Sequence, residues 1–140
     1  MAAKTKTTAK RSLIRQSVVL PATAEKLYKI YMDAALHSAA TGAPVKISEK
    51  PGSPFSAFGG ELWGSTLSVI ESRLIVQSWR SSNFHDTDPD STLILSFVPK
   101  GKSGQIDLIH IDVPEQDYEG VKGGWDTYYW EPWRKYLSKK

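Results

Sequence analysis

Apolar positions change their period twice along this chain, and the changes divide it into three stretches. From Ser12 to Leu20 (SLIRQSVVL) β-branched residues are frequent enough to predict a first strand, which Pro21 ends. The period then becomes helical. Thr23 is placed to cap a helix, Glu25 suits the dipole of its first turn, and Leu27, Ile30, Tyr31 and Ala34 recur at helical spacing. This segment is expected to break near Asp33, resume to Ala40 and stop at Gly42.

From Val45 the pattern shortens. The runs Val45–Ser48, Phe55–Phe58, Glu61–Glu71, Leu74–Arg80, Thr92–Pro99 and Gln105–Asp112 are separated by turn formers such as Pro51-Gly52, Gly59-Gly60, Asp86–Asp90 and Lys100–Gly104. No connection leaves room for a crossover helix, so antiparallel hairpins are expected. Leu93, Leu95 and Phe97 alternate in one run, and Ile106, Leu108 and His110 in the next, which predicts that they face the core.

After Pro114 helical spacing returns. Val121, Trp125, Tyr129 and Trp133 step by four, flanked by Tyr128, Pro132, Tyr136 and Leu137. The same segment carries Gly120, Gly123 and Gly124, each costing roughly 1 kcal/mol relative to alanine inside a helix. Such a cost points to a close backbone approach to the sheet, or to space left for something else. The order predicts an α+β fold: a curved antiparallel sheet of about six strands around a long C-terminal helix, with two short helices after strand 1.

At 140 residues, 40% of them hydrophobic, the chain fits one domain, read as residues 12 to 140 behind a flexible basic tail of residues 1 to 11. The absence of cysteine excludes disulfides, thiolate ligands and a cysteine nucleophile. The net charge of +3 resides in the ends: residues 16 to 133 hold nine basic against all 15 acidic residues, a net of −6. A basic patch on the folded body is therefore not expected, which argues against nucleic-acid binding. The Lys/Thr/Ala-rich opening lacks the apolar run of a secretion signal, and no window reaches the roughly 18 apolar residues of a membrane span, so a cytoplasmic protein is expected.

Candidate chemistry is sparse. His37 reads as part of a linker between helices and His85 as part of an acidic loop (HDTDPD). That loop lacks the glycine and distal glutamate of an EF-hand, and no HExxH spacing occurs, so no metal site is expected. His110 is either a hydrogen-bonded structural histidine or a polar contact in a cavity. Trp79 shares parity with Ile75 and should pack inward, leaving Arg80 to meet a neighbouring acid or, at a rim, a ligand carboxylate. Neither a GxSxG elbow, an SxxK motif nor a P-loop is present, so neither an enzyme nor a cofactor is indicated.

Several ordered stretches nevertheless look familiar. They are Ser17–Leu27, Ala40-Thr41-Gly42, Phe55-Ser56-Ala57-Phe58-Gly59-Gly60 followed by Gly64, and Ile75-Val76-Gln77-Ser78-Trp79-Arg80. Ser91–Phe97, Leu108-Ile109-His110 with Val113-Pro114, and Gly124-Trp125 followed by Tyr129-Trp130 complete the series. Over about residues 12 to 137 the chain resembles the START-like (SRPBCC) superfamily, in the branch related to the activator of the heat-shock protein 90 ATPase. That resemblance implies a helix-grip fold with a cavity between sheet and terminal helix, where members of the wider superfamily hold lipids, steroids or other hydrophobic molecules. It matches the C-terminal half of the co-chaperone. The expected function is binding of a hydrophobic small molecule, with Trp79, Leu93, Leu95, Phe97, Leu108, His110, Trp125, Tyr129 and Trp133 as the cavity wall. A protein-interaction role, with a chaperone as partner, is the second expectation.

Overall fold

A computed structural model describes residues 11–139 of the chain. Strand β1 (Arg11–Leu20) leads into helices α1 (Ala24–Met32) and α2 (Ala34–Thr41). Strands β2 (Val45–Lys46), β3 (Pro54–Ala57), β4 (Leu62–Ile70), β5 (Leu74–Ser81), β6 (Ser91–Lys100) and β7 (Ser103–Pro114) follow, with one 3-10 turn (Phe58–Gly60) between β3 and β4. Together they form one seven-stranded antiparallel sheet in the order β1-β7-β6-β5-β4-β3-β2. A terminal helical segment closes the chain: α3 (Glu115–Gly124), a π turn (Trp125–Trp130) and α4 (Glu131–Ser138).

The local signals act as expected. Thr23 Oγ1 accepts from the Lys26 amide at 3.1 Å, capping α1. Asp33 ends α1 and caps α2 through the Leu36 amide, so the break falls at that residue. Gly42 ends α2 in the left-handed region, at φ 81°. The first strand begins one residue earlier than the sequence suggests, at Arg11, because β1 pairs with β7 through Arg11 opposite Pro114. The rest of the expected basic tail, residues 1 to 10, lies outside the described residues.

Strand parity sets the core. Ile14, Val18, Leu20, Ile75, Trp79, Leu93, Leu95, Phe97, Ile106 and Leu108 are buried on one sheet face. The register shifts at Ser12/Ile14 in the edge pair β1–β7 and at Thr66/Ser68 in the interior pair β4–β5, as at a bulge. Gly64 is obligatory in β4: a Cβ there would overlap the Ser78 carbonyl of β5.

The terminal helix is not uninterrupted. Pro132 follows the aromatic run and has no amide to give to the Tyr128 carbonyl, and its ring would crowd that oxygen in a regular α-turn. The preceding turn is widened instead, with the Glu131 amide bonded to Asp126 O, five residues back. The extra residue in the turn lets Tyr129 and Trp130 both join Trp125 and Trp133 on the buried side.

Candidate functional site

Where β5 leaves the sheet and α3 gives way to the π turn, a cleft of about 430 Å³ opens between strands and terminal helix. Its volume lies within the range of small-molecule sites. One wall is Trp79 and Ser81 of β5 with Ser82 and Asn83 beyond it; the opposite wall is Asp117, Gly120, Val121, Gly124, Trp125, Tyr128 and Tyr129. Phe58, Glu61 and Leu62 complete the rim. A second depression, about 520 Å³, lies beside α1, but Glu25, Lys26, Lys29, Asp33, Glu49 and Glu71 give it a charged surface of mixed sign. Of these two, the first combines an aromatic lining of five rings with a few placed polar groups.

The aromatic lining is held by its own packing. Trp125 lies 6.2 Å from Trp79 and 4.8 Å from Tyr129, centroid to centroid. Phe58 sits 5.8 Å from both Tyr128 and Tyr129. Phe58 adopts φ 55°, a left-handed conformation that a bulky residue rarely takes, and the following Gly59 and Gly60 continue it at 66° and 97°. Strain of this kind persists where the surroundings hold it, here with the ring at the mouth of the cleft. Gly120 and Gly124 supply the room. Neither touches the sheet: the nearest atoms to a Cβ at these positions belong to Asp117 and Tyr128. Of the two expectations for the helix glycines, space rather than sheet contact is what these two provide.

Asp117 is the buried carboxylate of the cleft. Its oxygens accept from Ser81 Oγ at 2.6 Å and Asn83 Nδ2 at 3.2 Å. At the rim, Glu61 Oε1 accepts from Ser82 Oγ at 2.6 Å. These residues carried no signal in the sequence beyond being polar near a turn, because the side chains that meet Asp117 lie more than 30 positions away.

Of the nine residues expected to form the wall, Trp79, Trp125 and Tyr129 line the cleft. Leu93, Leu95, Phe97, Leu108, His110 and Trp133 are buried in the core and do not line it. The reason is geometric. Parity identifies the inward face of a strand, but the core fills the middle of that face, leaving space only at the β5 end of the helix.

His110 makes a specific set of bonds. An indole N–H only donates, so Trp125 Nε1 at 3.2 Å makes His110 Nδ1 an acceptor, and Nε2–H then donates to Ser91 Oγ at 2.9 Å. The Ser91 hydroxyl in turn donates to the Trp79 carbonyl at 2.7 Å. His110 therefore couples the terminal helix to β6 and β5. Burial lowers its pKa to about 3, so the ring is neutral.

His37 was expected in a linker and is instead fully buried within α2. Its Nδ1–H donates to the Tyr31 carbonyl at 2.7 Å, and its Nε2 accepts from the Tyr129 hydroxyl at 3.0 Å. Burial lowers its pKa to about 4, against a smaller opposing effect of the Tyr31 carbonyl. Tyr31 in turn donates to Gln77 Oε1 at 2.8 Å. The usable signal was Ala34 and Ala40, three residues to either side of His37, which mark the apolar face of a short helix.

Arg80 takes the neighbouring acid. It meets Asp90 at 3.1 Å and the His85 and Asp88 carbonyls at 2.9 and 2.6 Å, pinning the acidic loop. Among the described residues no group of three His, Asp or Glu side chains is placed to hold a metal ion. No described helix is long and apolar enough to cross a membrane.

Comparison with known proteins agrees with this architecture. The Plasmodium falciparum HSP90 activator has a crystal structure that superposes with a TM-score of 0.80 at 21% identity, covering 89% of this chain and 95% of that one. An uncharacterized protein of Schizosaccharomyces pombe is 29% identical over 119 residues, 85% of this chain and 35% of its own length. The human activator of 90 kDa heat shock protein ATPase homolog 1 is 25% identical over 107 residues, 76% of this chain and 31% of its own. The chain thus spans about a third of the length of the curated relatives it matches. The family profile described as activator of Hsp90 ATPase homolog 1-like protein matches residues 21–138, nearly the whole helix-grip body, and the chain belongs to that family.

Proposed function

We propose that this domain is a binding module, not an enzyme, which holds a hydrophobic small molecule in the cleft between β5 and the terminal helix. The observation that carries the reading is the cleft itself: about 430 Å³ walled by Phe58, Trp79, Trp125, Tyr128 and Tyr129, with room left by two helix glycines. A helix pays for glycine in stability, and Gly120 and Gly124 are not required by any contact with the sheet. Native mass spectrometry of gently purified protein tests the proposal. A co-purifying small molecule, displaced by an apolar fluorescent probe, is the expected result; a protein that carries nothing and binds no probe would count against it.

A second reading has its own support. Relatives named as activators of the 90 kDa heat shock protein ATPase share this domain, although the chain covers about a third of their length. A cytoplasmic contact with that chaperone is the corresponding proposal. Co-purification of the chaperone, abolished by surface substitutions but not by filling the cleft, would separate this role from ligand binding.

A further inference from the structure

We infer that the cleft selects a positively charged amphiphile, an organic ammonium on a flat apolar body, over neutral or anionic molecules of the same shape. The inference rests on the ligand-binding reading above and adds the charge of the ligand. Two carboxylates, Asp117 and Glu61, face the cleft, and none of the described residues lining it is basic. Asp117 is 5% exposed, so its charge acts in a poorly solvated place.

The partners of Asp117 keep the carboxylate in position without neutralising it. Ser81 and Asn83 are neutral donors. The first turn of α3 adds the favourable end of a helix dipole, a fraction of a charge. Two cations adjacent in sequence to lining residues have partners of their own: Arg80 meets Asp90 and the loop carbonyls, and Lys122 lies over the Tyr118 ring at 5.8 Å. The indole nitrogen of Trp79 is enclosed and does not reach the open surface.

Around this charge stand aromatic rings, whose faces attract cations and whose area packs against a flat apolar body. An ammonium entering here exchanges water for a carboxylate and ring faces. A carboxylate entering the same space would meet Asp117 with no cation between them, and a neutral molecule would gain only the apolar contact.

Isothermal titration calorimetry on the full chain with naphthylethylammonium, naphthylethanol and naphthylacetate tests this. The ammonium should bind at least about tenfold more tightly than the alcohol, a difference of one charge-assisted contact, and the acetate should bind most weakly. Asp117→Asn should remove the advantage of the ammonium and leave the alcohol unchanged. Should Asp117→Asn fail to fold, Glu61→Gln at the exposed rim should still reduce that advantage several-fold. Equal binding of ammonium and alcohol, or tightest binding of the acetate, overturns the charge inference alone. Absence of binding by all three overturns the cleft as a ligand site as well.

Discussion

Trp125 donates its indole N–H to His110 Nδ1 across 3.2 Å, joining the terminal helix to β7 inside the core. Both residues are almost completely enclosed, so the bond is made where water cannot replace it. His110→Leu keeps the volume of the ring but orphans the Trp125 donor, while Ser91 retains the Trp79 carbonyl as acceptor. An unsatisfied buried donor costs about 1–3 kcal/mol, and denaturant titration of this variant should show a loss of that size. A neutral result would mean that the helix does not need this anchor.

The two buried histidines set an acid limit on stability. Burial lowers His110 to about 3 and His37 to about 4, from an ordinary value near 6.5. The unfolded chain therefore takes up these protons as pH falls through about 6.5, whereas the folded chain resists until much lower pH. The stability that goes with the neutral rings is complete above about pH 6.5 and is lost progressively towards pH 4 and 3. Thermal midpoints should fall across that window, and His110→Gln should make the fall shallower. An unchanged slope would assign acid sensitivity to other groups.

Gly64→Ala should be among the most damaging single changes in the sheet. The added methyl would overlap the backbone carbonyl of Ser78 on the paired strand, and a backbone atom cannot turn aside as a side chain can. A loss of about 3 kcal/mol, the upper end of the usual range for overpacking, is expected. Wild-type behaviour in denaturant titration would contradict the β4–β5 register.

Gly124→Leu separates folding from ligand binding. A Cβ at this position makes ordinary contact with the Tyr128 ring at 3.4 Å, and replacing a helix glycine gains up to about 1 kcal/mol of propensity. The variant should fold at least as well as the parent. The longer side chain should occupy the cleft and abolish binding of an apolar probe; retained affinity would place the probe elsewhere.

Much of the architecture was present in local pattern. Thr23, Asp33 and Gly42 mark helix ends through side-chain and backbone chemistry that acts within four residues. Leu93, Leu95, Phe97, Ile106 and Leu108 revealed the inward sheet face because a strand has only two faces to choose between. Val121, Trp125, Tyr129 and Trp133 identified the buried helix stripe in the same way, although the π turn ahead of Pro132 adds Trp130 to it.

The site was much less legible. Parity placed Leu93, Leu95, Phe97, Leu108, His110 and Trp133 inward, yet an inward residue either fills the core or borders a space, and periodicity does not distinguish the two. Asp117 meets Ser81 and Asn83, and His37 meets Tyr129, only because strands and helices distant in sequence are brought together. The sequence by itself determined which residues leave water, since that depends on the repeat of each element. Only the tertiary structure decided where the packed core ends and the cleft begins, because that depends on how β5, α3 and the Phe58 turn converge in three dimensions.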